Sequence, residues 1–212
     1  MLDPSKPIEH VALRGQRVAL EPLSAAHLPG LAAAVSDGEL WKLPFTFVPH
    51  PDELPGFLEW ARARYDAQLE RQFVTVDIAT ASIVGSTRFM NIDRKHRRLE
   101  IGFTFIAESW QRTFVNTEAK YLMLRHAFEA WGCNRVELIT DALNLQSRRA
   151  IKRIGATEEG ILRSHMIMRD GRLRDSVLSS VVKADWPRVR QGLEAMLRVA
   201  SPVMSGQGIQ SP

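Results

Sequence analysis

A chain of 212 residues, 45% apolar and 25% charged, has enough hydrophobic material for one ordinary core, and a formal charge of +4 spread along its length marks no nucleic-acid tract. The single cysteine, Cys133, excludes an internal disulfide framework and a cysteine-rich metal site, and no apolar run approaches the about 20 residues of a membrane span. "MLDPSKPIEH" lacks the basic and apolar regions of a signal peptide, so a cytoplasmic protein with neither nucleic acid nor membrane as partner is expected.

"QRVALEPL", Gln16 to Leu23, alternates before its proline and reads as a first strand. Ser24 caps an alanine- and leucine-rich helix that stops near Asp37-Gly38. The aromatic "LWKLPFTFVPHP" predicts irregular chain, and a second helix runs from about Asp52 to Arg71 with Leu54, Phe57, Leu58 and Ala61 on one face. Strands come next. In "QFVTVDIA" Val74, Val76 and Ile78 share a face, and "SIVGSTRFMNI" follows. In "LEIGFTFI" Leu99, Ile101, Phe103 and Phe105 point one way and Glu100, Gly102 and Thr104 the other, as in a strand between a core and a cleft.

A helix from about Thr117 to Trp131 closes at Gly132. "RVELITD" is a strand, and "NLQSRRAIKRI" is a short helix stopped by Gly155. Two strands then meet at Asp170-Gly171, a hairpin signal, and Asp185 precedes a last amphipathic helix, "WPRVRQGLEAMLR". Residues 1–200 read as one domain and the small, polar 201–212 as a disordered tail. The fold class is α/β (α+β): a mixed, mostly antiparallel twisted sheet of about seven strands flanked by helices, with a central βαβ unit over 99–106, 117–131 and 135–141.

The N-terminus of a crossover helix offers unpaired N–H groups and the positive end of a dipole, so Gln111 to Thr117, with Gln111, Arg112, Thr113 and Asn116 as added donors, suits a pyrophosphate. An ordinary loop capped by Asn116 or Thr117 explains the same residues. Asn144, Ser147 and Gly155 likewise fit either a ligand-binding helix start or a plain cap and stop.

Taken jointly, these stretches resemble the GNAT acetyltransferase superfamily, in its RimJ/RimL-like branch, which includes N-terminal acetyltransferases of ribosomal proteins. Glu100-Ile101-Gly102-Phe103, Thr117-Glu118-Ala119 and Asn144…Ser147…Arg153-Ile154-Gly155 match that branch's strand, helix start and following helix, and the likeness covers roughly Arg14 to Leu197. One departure stands out. The family's loop, [QR]-x-x-G-x-[GA], keeps Gln111 here but has Phe114 and Asn116 in its two small positions, which requires Phe114 to hold a negative φ and turn its ring away.

The resemblance implies acetyl-CoA as co-substrate, no metal, and an amine acceptor, either a protein N-terminus or a small molecule. Glu100 is the candidate base, set against a carboxylate merely paired with Arg97 or Arg98. Backbone N–H groups of Phe103, Thr104 and Phe105 would face the thioester oxygen. Gln111, Arg112, Thr113, Phe114, Val115, Asn116 and Thr117 would surround the phosphates, whose oxygens Arg112, with Arg149 or Lys152, is placed to meet, and Asn144 would bond the pantetheine arm. Many superfamily members carry a tyrosine where this chain has Ile151, which leaves Ser147 as proton donor. Trp41 and Phe45, with Phe47, either line the acceptor mouth or close the core. A homodimer through the C-terminal hairpin and helix is also implied. The missing glycines and tyrosine support a second reading, a non-catalytic module that binds acyl-CoA or a protein.

Overall fold

A computed structural model describes residues 7–199; the tail expected at 201–212 lies outside them. One sheet of eight strands runs β1 (Leu13–Arg14), β2 (Val18–Pro22), β3 (Arg71–Asp77), β4 (Ser82–Asp93), β5 (Arg98–Ile106), β6 (Arg135–Asp141), β8 (Leu173–Val182) and β7 (Thr157–Ile167) across its width. Neighbours are antiparallel except β5 and β6, the pair joined by the crossover helix. The eighth strand is β1, two residues long and too short to leave a sequence pattern.

Helices α3 (Val115–Arg125) and α5 (Trp186–Val199) cover one face, where Val115, Ala119, Leu122, Met123, Val189 and Leu193 pack on Leu20, Phe73, Leu99, Ile101 and Val136. Helices α1 (Leu28–Ser36) and α2 (Leu54–Asp66) supply Leu31, Val35 and Leu54 to a second, smaller core with Val74 and Phe105. Helix α4 (Leu145–Arg153) sits beyond β6. Both α1 and α2 are shorter than expected because short 3-10 turns, Ala25–His27 and Pro51–Glu53, precede them and because Arg71 already belongs to β3. The crossover helix begins two residues early, at Val115, and ends in a π-helical turn, His126–Ala130. There His126 lies between Phe89 and Trp131, and burial lowers its pKa to about 4, as suits a structural role.

One expectation fails. Phe103 and Phe105 do not share the face of Leu99 and Ile101. Phe103 takes φ +48, and the register against β4 slips between Arg88↔Gly102 and Ser86↔Phe105. This bulge reverses the alternation, so Phe105 joins the α1–α2 core while Thr104 turns toward α3.

Glu118, from the Thr-Glu-Ala helix start, ties α3 to the sheet. Its buried Oε1 accepts from the N–H groups of Gln16 (2.6 Å) and Arg17 (3.1 Å), and Arg17 Nε lies 3.6 Å from Oε2. Gly15 makes the room, since a Cβ there would stand 2.2 Å from Oε1. Glu118→Ala strands these donors, and urea unfolding should show a loss of about 3 kcal/mol. An unchanged midpoint would make the carboxylate dispensable.

Candidate active site

β5 and β6 pair over only Arg98↔Arg135, Leu99↔Val136 and Glu100↔Glu137, and then part. Past that point β5 bonds to β4 alone, while β6 bonds to β8. The wedge between them is a cavity of about 330 Å³, lined by β5 from Glu100 to Phe105 and by β6 from Leu138 to Asp141. Asn144, Ser147 and Ile151 of the α4 region, the segment Phe45–Val48, and His165, Met166 and Arg174 of the hairpin complete its wall. That size is at the small end of ligand sites.

Glu100 stands on the cavity wall with 6% of its surface exposed. Its Oε2 accepts from Asn91 Nδ2 at 2.9 Å, and Gly102 leaves space for its other oxygen, where a Cβ would come within 2.9 Å. Neither neighbouring arginine claims it: Arg98 pairs with Asp93 and Glu137. Burial is the main reason that its pKa rises to about 7, with the Asn91 hydrogen bond opposing. A carboxyl group so tuned takes and returns protons near neutrality.

Behind the bulge, Arg88 lies 3.6 Å below the Phe103 ring and 4.3 Å from that of Trp60, and its Nε is 3.1 Å from Glu70 Oε2. Desolvation brings its pKa down to about 10 against the pull of Glu70. The same ring stacks on Phe47 at 6.1 Å. Phe47 therefore lines the cavity beside Phe45, whereas Trp41 packs in the small core, edge-on to His50 at 4.9 Å.

None of residues 111–117 lines this cavity; they lie at the start of α3, where Phe114 holds φ −66. Its ring packs against the main core under the Arg17 guanidinium, 4.0 Å away, so it leaves the mouth of the helix clear. The left-handed conformation falls on Arg112 instead, at φ +61. Thr113 Oγ1 donates to Trp110 O at 2.7 Å and accepts from Val115 N at 3.3 Å. The N–H groups of Asn116 and Thr117 lie in the first helical turn, where no intrahelical acceptor exists. Gln111 bridges β5 and α4, donating to Ile106 O at 2.9 Å and accepting from Gln146 Nε2 at 2.8 Å. Asn144 caps α4, its Oδ1 accepting from Ser147 N at 2.9 Å, which leaves its Nδ2 for other partners. Arg149 is not at this cavity; with Arg148 and Lys152 it lines a second one beside Glu158 and Ser179. Cys133 is buried, and its thiol is pushed up to about 12, an inert state.

Among the cavity residues missed in the sequence are two buried cations, Arg174 and Lys120. Nothing in the polar run "RLRD" singles out Arg174. Lys120 had a signal: it is three residues before the buried Met123 and seven before the buried Ala127, on the core stripe of α3. Only 5% of it is exposed, and its Nζ donates to Thr104 Oγ1 at 2.6 Å and Thr87 Oγ1 at 3.3 Å. Burial lowers its pKa to about 7. Because the folded pKa lies below the unfolded one, the unfolded chain binds the extra proton between about pH 7 and 10.5, and stability rises with pH across that window. Lys120→Met should flatten this rise in denaturation series taken from pH 7 to 10; a parent curve that is itself flat would contradict it.

The comparisons agree with this geometry. The family described as "Acetyltransferase (GNAT) domain" matches residues 17–157. The chain is 32% identical over 104 residues to the uncharacterized N-acetyltransferase YoaA of Bacillus subtilis, covering 49% of this chain and 58% of that one. It is 29% identical over 183 residues to YdaF of the same organism, covering 84% and 94%. A GCN5-related N-acetyltransferase from Brucella melitensis superposes with a TM-score of 0.81 at 30% identity, over 93% of this chain and 88% of that one. The fold is also that of Mycobacterium smegmatis RimJ in complex with CoA-disulfide, TM-score 0.74 at 23% identity, over 91% and 96%. A parted β5–β6 pair, a crossover helix open at its N-terminus and a family match over most of the chain lead to one conclusion: this chain belongs to the GNAT family of acetyl-CoA-dependent N-acetyltransferases, in its RimJ/RimL-like branch.

Proposed function

We propose that the chain moves an acetyl group from acetyl-CoA to a primary amine, which attacks directly while both are bound, and that Glu100 takes the amine's proton. The position of Glu100 carries this reading: a buried carboxyl with its pKa near 7, on the wall of the cavity into which β5 opens. An α-amino group with a pKa of about 8 needs modest help to lose a proton at neutral pH, and a lysine at about 10.4 needs far more.

Acetyl-CoA supplies an acetyl group already activated as a thioester. The residues present fit it. With Phe114 folded away, the N–H groups of Asn116 and Thr117 and the dipole of α3 are open to a pyrophosphate, with Arg112 beside them. The free edge of β5 from Phe103 to Phe105 presents backbone groups to the cavity, where an N–H would stabilise charge gathering on the thioester oxygen. Asn144 Nδ2 is left to reach the pantetheine arm, and Ser147, which lines the cavity, is the hydroxyl available near the departing sulfur. Arg149 takes no part in the cavity.

The sheet edge supports a homodimer. β7 is exposed along its whole length, with Ile161 at 53% and Ile167 at 70%, and an apolar edge of this kind is a template for pairing. A second copy of the chain covers it in this reading. Sedimentation should give a dimer at micromolar concentration, and Ile161→Lys with Ile167→Lys a folded monomer; a monomeric parent would overturn the assembly.

The pH dependence tests the base. Glu100 is protonated and idle below about pH 7, so kcat/KM should climb through that value. Glu100→Gln should remove this limb and lower kcat/KM by about 100- to 10,000-fold, with acetyl-CoA affinity kept. An unchanged rate would remove Glu100 from the chemistry. Tight acetyl-CoA binding without turnover on any amine would instead make the chain a non-catalytic module, the reading favoured by Phe114, Asn116 and Ile151.

A further inference from the structure

Arg174, on β8, lines the same cavity as Glu100 and is 8% exposed. Its Nε makes no hydrogen bond, and no carboxylate among the described residues comes within ion-pair distance of its guanidinium. A buried arginine left in this state is costly, and such a group calls for a partner. The obvious neighbour is spoken for. Asp141 receives Arg172 Nη2 at 2.5 Å and the N–H of Leu143 at 2.9 Å. Glu100 is bonded to Asn91, and it and Arg174 influence each other's protonation without touching.

The cavity therefore holds a carboxylate and a guanidinium set apart, each lacking its natural counterion. A molecule that fills the gap and satisfies both carries an amine at one end and an anionic oxygen group at the other. The remaining wall limits its size. Phe45–Val48 closes over the cavity, and Arg172 Nη2 also donates to Pro44 O at 3.2 Å, which pins that segment to the hairpin. His165, held to Ser176 at 3.1 Å, and Met166 close the same side.

We propose that the acceptor is a small amino carboxylate, its carboxylate on Arg174 and its amine toward Glu100. The inference rests on the transferase reading and names the substrate class for that same site. In the transfer, the amine nitrogen bonds to the acetyl carbon, the carbon–sulfur bond breaks, the amine's proton passes to Glu100 and coenzyme A leaves. Arginine suits the anchoring task because its planar fork pairs with both oxygens of a carboxylate. A peptide N-terminus offers a neutral carbonyl where a free amino acid has its carboxylate.

The test is a set of matched acceptors: free amino acids, their amides and their decarboxylated amines, each assayed with acetyl-CoA by release of coenzyme A. At least one amino acid should exceed its amide and its decarboxylated amine by about 100-fold or more in kcat/KM. Arg174→Met should erase that preference, mainly through KM: kcat/KM should fall far more on the amino acid than on its amide, and the calorimetric titration should still show acetyl-CoA binding. Arg174→Lys, which keeps the charge but not the fork, should retain part of the preference. Equal rates across a matched set, faster transfer to short peptides, or a preference that survives Arg174→Met would overturn the inference and leave the transferase reading standing. Acetyl-CoA binding with no transfer to any amine, peptides included, would overturn both.

Discussion

The parting of β5 from β6 is the constraint on which everything else depends. Parallel pairing stops at Glu100↔Glu137, and three residues later Phe103 adopts a backbone conformation that few side chains accept. A regular strand would keep its hydrogen bonds to β6 and leave no cavity. The bulge turns Phe105 into the α1–α2 core, brings Thr104 round to Lys120, and opens one edge of β5. Strain at Phe103 is offset by the ring's own contacts with Phe47 and Trp60 and by the Arg88 guanidinium beneath it.

Around this wedge the chain buries charges that an ordinary core avoids. Arg88 with Glu70, Glu118 with Arg17, and Lys120 with its two threonines each carry a desolvation cost that packing elsewhere must offset. Glu118 and Arg88 have clear structural tasks: one fastens the crossover helix, the other supports the bulge. Glu100 and Arg174 have none of that kind. Neither forms an ion pair within the protein, Glu100 being held by Asn91 alone and Arg174 Nε by nothing, and both line the cavity.

Much of this was legible in the sequence, and the gaps have physical causes. The central crossover, the hairpin at Asp170-Gly171 and the cleft-facing Glu100 follow from periodicity and turn chemistry, because those signals are local. The bulge is not local. "LEIGFTFI" alternates without a break, and only pairing with β4 shows that one residue is extra. The glycine-free loop was read correctly at Phe114, whose φ is negative, but the residue that bears the left-handed turn, Arg112, carries no mark of it. Trp41 and Phe47 could not be told apart by composition: both are aromatic, and only tertiary packing sends one to the core and the other to the cavity. Arg174 was hidden for the opposite reason, since an arginine in a polar hairpin looks solvated until the fold closes over it.

The measurement that bears most directly on the wedge is amide hydrogen exchange of the purified chain with and without saturating acetyl-CoA. If the parted strands hold the ligand, exchange slows at residues 103–106 along the free edge of β5, at 115–118 in the first turn of α3, and at the start of α4 near 144–147. The rest of the sheet stays as it was. Unchanged exchange at all three segments, or protection confined to a surface away from them, would contradict the account.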